Sequence, residues 1–369
     1  MDFETAKEYL RSHISYEETR NFKYDENYFD LARVKRFYAA FCPAYGDLKY
    51  IHVGGSKGKG STCALVANYL RASGRNVGMF LSPYIVEITE SFWFDGADIS
   101  KADFVKYVEE LRDFAESWEE RITYFEMLLA IVLKYFVDMG AEYVVLEVGL
   151  GGRLDATNVV EPLVSALTLV EKEHTDVLGE SYEEILAEKC GIRKEGVPFL
   201  VGPQKEEVRE IVERICPDAR FVSSLVEEIL KVVLGEVDEG MLERIRSEFK
   251  LPGRFQVEDF EGRTVVFDMA HTEASMKFLI EKLEKKFKGK NFVFLISMMR
   301  DKKHKEILEI VGEFADKIVY TSSHEERGED PHALAKIVKG EVVEDCTLAF
   351  ESSLQELKKD QVLVVTGSH

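Results

Sequence analysis

Apolar residues are grouped in nine short runs in which polar positions do not alternate with apolar ones. Strands buried on both faces have this pattern, because a parallel sheet is usually covered by helices on each side. We therefore predict a largely parallel sheet built from these runs. In chain order they are KYIHVGG, NVGMFLS, EYVVLEVG, LVSALTLV, VPFLVG, RTVVFDMA, NFVFLIS, DKIVYTS and QVLVVTG.

Amphipathic helical patterns lie between many of these runs. STCALVANYLRASG and ASMKFLIEKLEKKFKG each end at a glycine, which is a common helix stop. Strands that alternate with helices predict an α/β fold. The most apolar helical stretch, Phe125 to Met139, is too short to cross a membrane and carries three charged residues, so we interpret it as a buried helix.

A charged helical region, VEEILKVVLGEVDEGMLERIRSEFK, is followed by the sequence LPGRF. Pro252-Gly253 is the best candidate for a domain joint, because both residue types interrupt helices. A chain of 369 residues is expected to form two domains. We predict an N-terminal domain at 1–250 and a C-terminal domain at 251–369 that holds the last four strands.

The chain is acidic, with 48 Lys and Arg against 68 Asp and Glu and a net charge of −20. This balance argues against broad binding to nucleic acid or to anionic membranes, although it permits a local basic pocket. The five cysteines are scattered and form no C-x-x-C pair, so we expect neither disulfides nor a zinc site. The first residues lack an apolar signal core, and we therefore expect a cytoplasmic protein.

A glycine-rich stretch, IHVGGSKGKGST at residues 51–62, joins a predicted strand to a predicted helix. It departs from the common P-loop, because Val53 stands where the first glycine is expected and Gly60 separates Lys59 from Ser61. Glycines let backbone N–H groups converge on an anion, and the helix N-terminus adds partial positive charge. The stretch favours a nucleotide-phosphate site; the alternative is a tight turn between strand and helix.

A second motif, VVLEVGLGGRLDATN at residues 144–158, places Glu147 at the end of an apolar strand. Ligands of open α/β sheets bind at the carboxyl ends of the strands. A carboxylate at that edge, facing a phosphate-binding loop, is a suitable Mg²⁺ ligand. The alternative interpretation is a strand-end glutamate that caps a neighbouring helix.

Seven motifs occur in the order found in the folylpolyglutamate synthases and dihydrofolate synthases, which belong to the Mur ligase superfamily of ATP-dependent amide-forming enzymes. The chain resembles this family from about residue 28 onward, and LEVGLGGRLDATN is very specific. The family's own loop reads G-T-N-G-K-G-[ST], so the unusual loop spacing is part of the resemblance. The motifs are HVGGSKGKGST, TYFE, LEVGLGGRLDATN, EHTDVLG, AEKCGI, LPGRF and FDMAH.

The resemblance implies a two-domain α/β fold. The N-terminal domain would be an ATPase domain of the Mur ligase central type, with a P-loop and a parallel sheet, and the smaller C-terminal domain would be Rossmann-like. It also implies a two-step reaction, in which ATP phosphorylates a pterin-containing acid and L-glutamate then displaces phosphate. The acceptor stays open between dihydropteroate, folate or tetrahydrofolate, and another pterin acid. We expect small-molecule partners only and a monomer.

The resemblance assigns ATP and the chemistry to residues of both domains. Lys59, Lys189, Arg254 and His271 would be catalytic, and domain closure would bring Arg254, Asp268 and His271 onto ATP. The residues implied to bind ATP are Gly55, Ser56, Lys57, Gly58, Lys59, Gly60, Ser61, Arg254 and Asp268.

Metal and acceptor sites follow from the same resemblance. Mg²⁺ would be held by Ser82 and Glu147, and a second metal by His174, while Lys189 would carry a carbamate. Without the resemblance, Ser82 would be interpreted as a turn residue and Lys189 as a solvated helix lysine. The residues implied to bind the pterin are Thr123, Phe125 and Asp155, although Phe125 also fits a buried helix face.

The chain departs from the family pattern at several positions. Lys57 and Thr272 each replace an asparagine, Tyr84 replaces a histidine, and Glu173 replaces an aspartate. The changes at Lys57, Tyr84 and Thr272 motivate an alternative hypothesis, in which the chain is a catalytically impaired relative that acts as a nucleotide-binding sensor or scaffold.

Overall fold

The computed structural model describes residues 1–13, 28–248, 252–300, 302–323 and 328–367. The chain divides into two compact units, Met1–Phe249 and Lys250–His369, here called the N-terminal and C-terminal units.

The N-terminal unit is built on one eight-stranded sheet with helices between its strands. Its strands are β1 (Lys49–Gly54), β2 (Val77–Phe80), β3 (Trp93–Phe94), β4 (Ala97–Asp98), β5 (Tyr143–Glu147), β6 (Pro162–Leu167), β7 (Phe199–Val201) and β8 (Arg220–Phe221). Its helices are α1 (Phe3–Arg11), α2 (Leu31–Phe41), α3 (Lys59–Ala72), α4 (Lys101–Ala115), α5 (Tyr124–Asp138), α6 (Thr175–Leu178), α7 (Tyr182–Lys189), α8 (Glu206–Ile215), α9 (Leu225–Leu234) and α10 (Glu239–Glu248).

The strand order of this sheet is β4-β3-β2-β5-β1-β6-β7-β8. In this spatial order, every neighbouring pair in the series β2-β5-β1-β6-β7-β8 is parallel. β3 and β4 add an antiparallel edge next to β2. β1 is central and is buried at every position after Lys49, which is why its sequence shows no alternation. The connections after β1, β2, β5 and β6 therefore emerge together at the carboxyl edge, where ligands of such sheets bind.

The C-terminal unit contains a six-stranded sheet in the order β13-β12-β11-β14-β10-β9, in which only the β9–β10 pair is antiparallel. Apolar side chains pack on both of its faces, one cluster around Phe294 and another around Leu363. Its strands are β9 (Gln256–Phe260), β10 (Arg263–Phe267), β11 (Asn291–Ile296), β12 (Lys317–Tyr320), β13 (Glu341–Val342) and β14 (Gln361–Thr366). Its helices are α11 (Glu273–Lys286), α12 (His304–Phe314), α13 (Pro331–Ile337) and α14 (Cys346–Glu356).

The nine apolar runs are all confirmed as strands, and the α/β fold class is confirmed. The predicted helix at 125–139 is α5, in which ten of the 15 residues are buried. The charged helical region is two helices rather than one, because Gly235 ends α9 with a φ of +86°. Its last residues, 249 and 250, lie outside the described residues. Among the described parts of the chain, no helix is long and apolar enough to cross a membrane.

Candidate active site

The glycine-rich stretch forms the turn from β1 into α3. Gly58 has a φ of +90° and occupies the N-cap position of α3, which begins at Lys59. The first intrahelical bond runs from the Thr62 amide to the Gly58 carbonyl at 2.9 Å. Amides of a first helical turn have no partner within the helix, and a glycine cap offers none. This helix end, with an ammonium on its first residue, is suited to bind phosphate.

Gly55 is sterically required in this turn. Its φ is +132°, and a Cβ added to it would lie 2.0 Å from Oγ1 of Thr168. Thr168 is fixed there because its hydroxyl and its amide both donate to the carbonyl of Gly54, at 3.1 and 2.8 Å. No side chain larger than hydrogen therefore fits at position 55.

The next two residues attach the loop to the segment after β6. The amides of Ser56 and Lys57 both donate to the Leu169 carbonyl, at 2.9 and 3.0 Å. The Ser56 hydroxyl donates to the Glu171 carbonyl and accepts from the Glu171 amide, both at 3.0 Å. The polar groups of Ser56 therefore hold the loop in place.

A buried ion cluster lies beneath the loop. The Nζ of Lys189 donates to the Gly55 carbonyl at 3.1 Å and to the Glu173 carboxylate at 3.2 Å. The Nζ of Lys57 lies 3.5 Å from the other carboxylate oxygen of Glu173. One carboxylate therefore links two lysines, of which Lys189 is only 3% exposed whereas Lys57 is 28% exposed.

The electrostatics of this cluster are unusual. Burial lowers the pKa of Lys189 to about 8, although Glu173 opposes the shift. Burial alone would raise the pKa of Glu173, but Lys189, Lys59 and Lys57 together hold it well below its usual range. Glu173 is therefore an anion at neutral pH, and Lys189 loses its proton at a lower pH than an ordinary lysine.

Ser82 and Glu147 meet at the ends of neighbouring strands β2 and β5. The Ser82 amide donates to Oε2 of Glu147 at 3.2 Å, and Glu147 is 6% exposed. The Ser82 hydroxyl is buried and has no hydrogen-bond partner among the described residues. A buried carboxylate beside an orphaned hydroxyl fits a hard divalent cation, which prefers oxygen ligands.

His174 follows strand β6 and is adjacent to Glu173 of the ion cluster. It caps α6 with a φ of +50° and is exposed, and its charge acts on the adjacent Glu173. Within the described ranges, no group of three or more His, Cys, Asp and Glu side chains is arranged to hold a metal. The structure thus brings together Ser82 and Glu147, with His174 in the neighbouring ion cluster.

Phe125 and Asp155 meet around Gly149. A Cβ added to Gly149 would lie 2.7 Å from the tip of the Phe125 ring and 3.2 Å from Oδ2 of Asp155. The Phe125 ring also packs edge-on against Phe80, with centroids 5.7 Å apart. An aromatic ring and a carboxylate are the two groups that would stack on a flat ring and accept hydrogen bonds from its N–H groups.

The carboxylate of Asp155 is held by several donors. It accepts from the amides of Leu150 and Thr157 at 2.9 and 3.0 Å and from the Thr157 hydroxyl. Burial raises the pKa of Asp155, and these hydrogen bonds oppose the shift. The orientation of the side chain is therefore set by the protein before any ligand arrives.

Thr123 has a defined structural role. Its hydroxyl accepts from the Glu126 amide at 3.3 Å, and its own amide donates to the Glu126 carboxylate at 2.8 Å. This capping box starts α5 and fixes the position of Phe125 two residues later. Arg33 donates to the same carboxylate at 2.6 Å, a contact that the sequence did not reveal.

In the C-terminal unit, Arg254 and Asp268 are brought together by two hydrogen bonds that backbone amides donate. The Phe255 amide donates to Oδ2 of Asp268 at 2.8 Å, and the Met269 amide donates to the Gly253 carbonyl at 2.9 Å. Phe255 has a φ of +51°, which is uncommon for a bulky residue. Burial raises the pKa of Asp268, against the effect of the nearby Arg254 charge.

His271 and Thr272 follow on the same loop. Nδ1 of His271 lies 2.7 Å from the Met269 carbonyl, so Nδ1 carries the proton and the ring is oriented. Thr272 caps α11, and its hydroxyl accepts from the Ser275 amide at 3.3 Å. The departure from asparagine at 272 therefore preserves a helix cap.

Tyr84 packs on the N-terminal helix. Its hydroxyl lies 3.1 Å from Nη2 of Arg11, which donates to it, and its ring lies against the main apolar cluster of the unit. The departure from histidine at 84 thus serves the packing of the loop that follows Ser82.

Two family models match the chain and between them cover most of it. The Mur ligase middle domain matches residues 53–258, and the Mur ligase glutamate ligase domain matches residues 253–369. Together they cover residues 53–369, which include parts of both units described above.

Curated relatives carry consistent names. The chain is 35% identical over 187 residues to the dihydrofolate synthase/folylpolyglutamate synthase of Bacillus subtilis, covering 49% of this chain and 44% of that protein. It is 27% identical to a probable bifunctional folylpolyglutamate synthase/dihydropteroate synthase of Haloferax volcanii, covering 96% of this chain and 49% of that protein. The chain thus spans about half the length of these relatives.

Solved structures agree over the whole chain. The Escherichia coli protein FolC in complex with DHPP and ADP superposes with a TM-score of 0.86 and 25% identity, covering 100% of this chain and 95% of that one. A bifunctional folylpolyglutamate synthase/dihydrofolate synthase with Mn, AMPPNP and L-glutamate bound gives a TM-score of 0.84 and 25% identity, covering 100% and 95%. The chain belongs to the Mur ligase superfamily and, within it, to the family of folylpolyglutamate synthases and dihydrofolate synthases.

Proposed function

We propose that the protein is an ATP-dependent ligase that joins L-glutamate to a pterin-containing acid, either folate (as tetrahydrofolate) or dihydropteroate. The products are the glutamyl amide, ADP and phosphate. The names of the relatives and the ligands bound in the similar structures support this assignment.

One observation carries the proposal. A helix end suited to phosphate, a buried Ser82–Glu147 pair and the Phe125–Asp155 pocket all lie at the carboxyl edge of one sheet. The strands that supply them, β1, β2 and β5, are adjacent. A phosphate donor and a carboxylate acceptor bound at this edge would be close enough to react.

In the first step, an oxygen of the acceptor carboxylate attacks the γ-phosphorus of ATP, and the bond to the bridging oxygen of ADP breaks. Lys59 and the first-turn amides of α3 hold the outer phosphates and stabilise the charge that moves onto ADP. Gly55 and Gly58 shape the turn that permits this approach, with Gly60 and Ser61 in the first helical turn.

In the second step, the amino nitrogen of L-glutamate attacks the acyl carbon, loses a proton, and phosphate leaves. We propose that Phe125 stacks on the pterin ring and that Asp155 accepts its N–H groups. Thr123 contributes by fixing the start of α5, which carries Phe125. The reaction needs positioned reactants and no protein nucleophile.

Ser82 and Glu147 are the residues that would hold a divalent cation, which we propose to be Mg²⁺. When bound, the cation neutralises the phosphate charge during phosphoryl transfer. The protein supplies one buried carboxylate and one hydroxyl without another partner among the described residues, which leaves coordination positions for phosphate oxygens.

The proposal includes a carbamate on Lys189. Burial lowers the pKa of this lysine to about 8, which increases the share of the neutral amine, the form that adds CO₂. A carbamate beside the Glu173 carboxylate would place two anions together, so it requires a second cation, for which His174 is the adjacent donor. A ¹³C NMR signal from protein equilibrated with ¹³C-bicarbonate, absent in Lys189→Met, tests this modification.

From the C-terminal unit we propose Arg254, Asp268 and His271 as further ATP-handling residues. Their mutual geometry supports this. Hydrogen bonds from backbone amides hold Arg254 beside Asp268, and a backbone carbonyl orients the His271 ring. Arg254 would neutralise phosphate charge and Asp268 would contact the nucleotide.

The sensor or scaffold alternative loses its main support. The departures that motivated it have local partners: Glu173 for Lys57, Arg11 for Tyr84 and Ser275 for Thr272. None of these contacts removes the phosphate-binding helix end or the Ser82–Glu147 pair. A different pterin acid as acceptor remains within the proposed chemistry.

The experiment is a phosphate-release assay with a panel of acceptors. We expect release from ATP only when both L-glutamate and a pterin acid are present, with a product one glutamyl residue heavier by mass spectrometry. Screening dihydropteroate, folate and tetrahydrofolate separately identifies the acceptor. No turnover with any of the three would contradict the proposal, and Lys59→Ala is the matched inactive control.

A further inference from the structure

His52 is a fully buried histidine that the proposed reaction does not use. It lies on the central strand β1, two residues before Gly54, and is 0% exposed. Its Nε2 is 2.8 Å from the hydroxyl oxygen of Thr157, which is equally buried. Its Nδ1 is buried and has no hydrogen-bond partner among the described residues.

Thr157 connects this histidine to the acceptor pocket. Its hydroxyl donates to Oδ1 of Asp155, and its amide donates to the same oxygen at 3.0 Å. The side chains of His52, Thr157 and Asp155 therefore form one continuous chain of hydrogen bonds. It runs from the strand that leads into the phosphate loop to the carboxylate beside Phe125.

The direction of these bonds follows from counting protons. A threonine hydroxyl has one proton, and an ionised carboxylate can only accept. The Thr157 proton therefore lies toward Asp155, and its oxygen must accept a proton from Nε2 of His52. The imidazole is then neutral with a bare Nδ1, and no buried N–H is left without an acceptor.

The charge state of His52 agrees with this direction. Burial, assisted by the Lys194 charge, lowers the pKa of His52 to about 3, so the ring is neutral at any ordinary pH. The Nδ1–H tautomer would leave a buried N–H unpaired and would turn the Thr157 proton away from Asp155.

We propose that His52 and Thr157 are positioning residues that fix the carboxylate of Asp155 for the pterin ring, through the donor sequence His52 Nε2–H to Thr157 Oγ1–H to Asp155 Oδ1. This inference rests on the proposed function for the identity of the ligand. It adds two residues that touch no substrate and act through a third. It also explains why a polar histidine lies on the central strand of the sheet.

The hydrogen-bond chain is tested without substrate by NMR of ¹⁵N-histidine-labelled protein. The chain contains eight histidines, so His52→Gln identifies the signal by its loss. We expect a neutral ring protonated at Nε2, whose signal changes in Thr157→Val because the acceptor is gone. A proton on Nδ1, or no change in Thr157→Val, would overturn the donor sequence.

Steady-state kinetics test the positioning role. Thr157→Val should lower kcat/KM for the pterin acid roughly ten- to hundredfold, mainly through KM, because one charge-assisted bond to Asp155 is lost. KM for ATP should stay within about twofold, and Thr157→Ser, which keeps the hydroxyl, should restore the acceptor KM. Unchanged acceptor KM in folded Thr157→Val would overturn the inference.

A second pair covers the case in which Thr157→Val does not fold. His52→Gln keeps an N–H donor for Thr157, whereas His52→Leu does not, so only His52→Leu should raise the acceptor KM. Equal KM values for these two variants would contradict the positioning role. If wild-type protein turns over no acceptor while the NMR result holds, the proposed function fails but the hydrogen-bond chain stands.

Discussion

At the residue scale, the side chains that depart from the family pattern contact other residues of the chain. Lys57 and Glu173 are the clearest case, since both depart and they contact each other at 3.5 Å. We interpret them as a matched pair, in which the longer acid reaches both Lys57 and Lys189. The sequence predicted that Lys57 binds phosphate, and this stays a prediction, whereas its contact with Glu173 supports a structural role.

The first prediction concerns Lys57→Asn, which restores the family residue. We expect KM for ATP to change less than about threefold, because the ammonium serves Glu173, and the free energy of unfolding to fall by about 1 kcal/mol or less, since the pair is partly exposed. Lys59→Ala in the same assay should reduce kcat by roughly a hundredfold or more. An ATP KM raised tenfold by Lys57→Asn would show that Lys57 contacts phosphate.

Gly55→Ala tests the shape of the phosphate loop. We expect a loss of more than about 2 kcal/mol in the free energy of unfolding, because a strained φ adds to the contact with Thr168. Gly74→Ala is the control, since Gly74 has a φ of +77° but nothing lies within 4 Å of an added Cβ. Gly74→Ala should lower the free energy of unfolding by about 1 kcal/mol. Equal costs in urea unfolding would contradict the steric argument.

The buried His52 should make stability depend on pH. Its pKa is lowered from 6.5 to about 3 in the folded chain, so the unfolded chain binds more protons between these values. The free energy of unfolding therefore decreases as the pH falls below 6.5. The decrease reaches about 2 to 3 kcal/mol at pH 4.5. Between pH 6.5 and 4.5, the free energy of unfolding of His52→Gln, measured by urea titration, should fall by about 2 to 3 kcal/mol less than that of the wild-type protein. Parallel curves for the two proteins would refute a buried neutral histidine.

At the element scale, the site depends on where helices begin. Thr123 and Ser181 each open a helix with a capping box, and Gly58 opens α3 with no side chain to compete for its first-turn amides. Capped starts fix the register of the helices that carry Phe125 and Lys189. The start of α3, where no side chain caps the helix, is where phosphate is proposed to bind.

Thr272 offers a direct test of this view. Thr272→Asn keeps a side chain that can cap α11 and should change stability by only a few tenths of a kcal/mol, whereas Thr272→Ala should cost about 1 kcal/mol. Thermal unfolding of the two variants measures the difference. Steady-state KM values for ATP and glutamate should be unchanged in Thr272→Asn. A large change there would mean that residue 272 contacts substrate.

At the scale of the whole molecule, the sequence predicted the parts that burial dictates. The nine apolar runs form strands because a sheet covered on both faces favours apolar residues at successive positions. The short strands β3, β4, β8 and β13 have two residues each, too few to carry a pattern, and were not predicted. β9, with the sequence QVEDF, is an antiparallel edge strand without a continuous apolar run.

The candidate site was predictable where a motif spans it and hidden where partners come from distant segments. The phosphate loop and Glu147 could be inferred from local sequence and strand position. The bond from Lys189 to Gly55 joins residues 134 positions apart, and the one from His52 to Thr157 joins residues 105 apart. A single sequence contains no local signal for such pairs, and only folding brings them together.

The most direct test of the proposed ligase reaction follows one oxygen atom. An acceptor labelled with ¹⁸O in its carboxylate is incubated with ATP and L-glutamate, and the released phosphate is examined by mass spectrometry. Attack of the carboxylate on the γ-phosphorus predicts that one ¹⁸O appears in each phosphate and that the amide product retains the other. Phosphate without ¹⁸O, or phosphate released without amide product, would contradict the account.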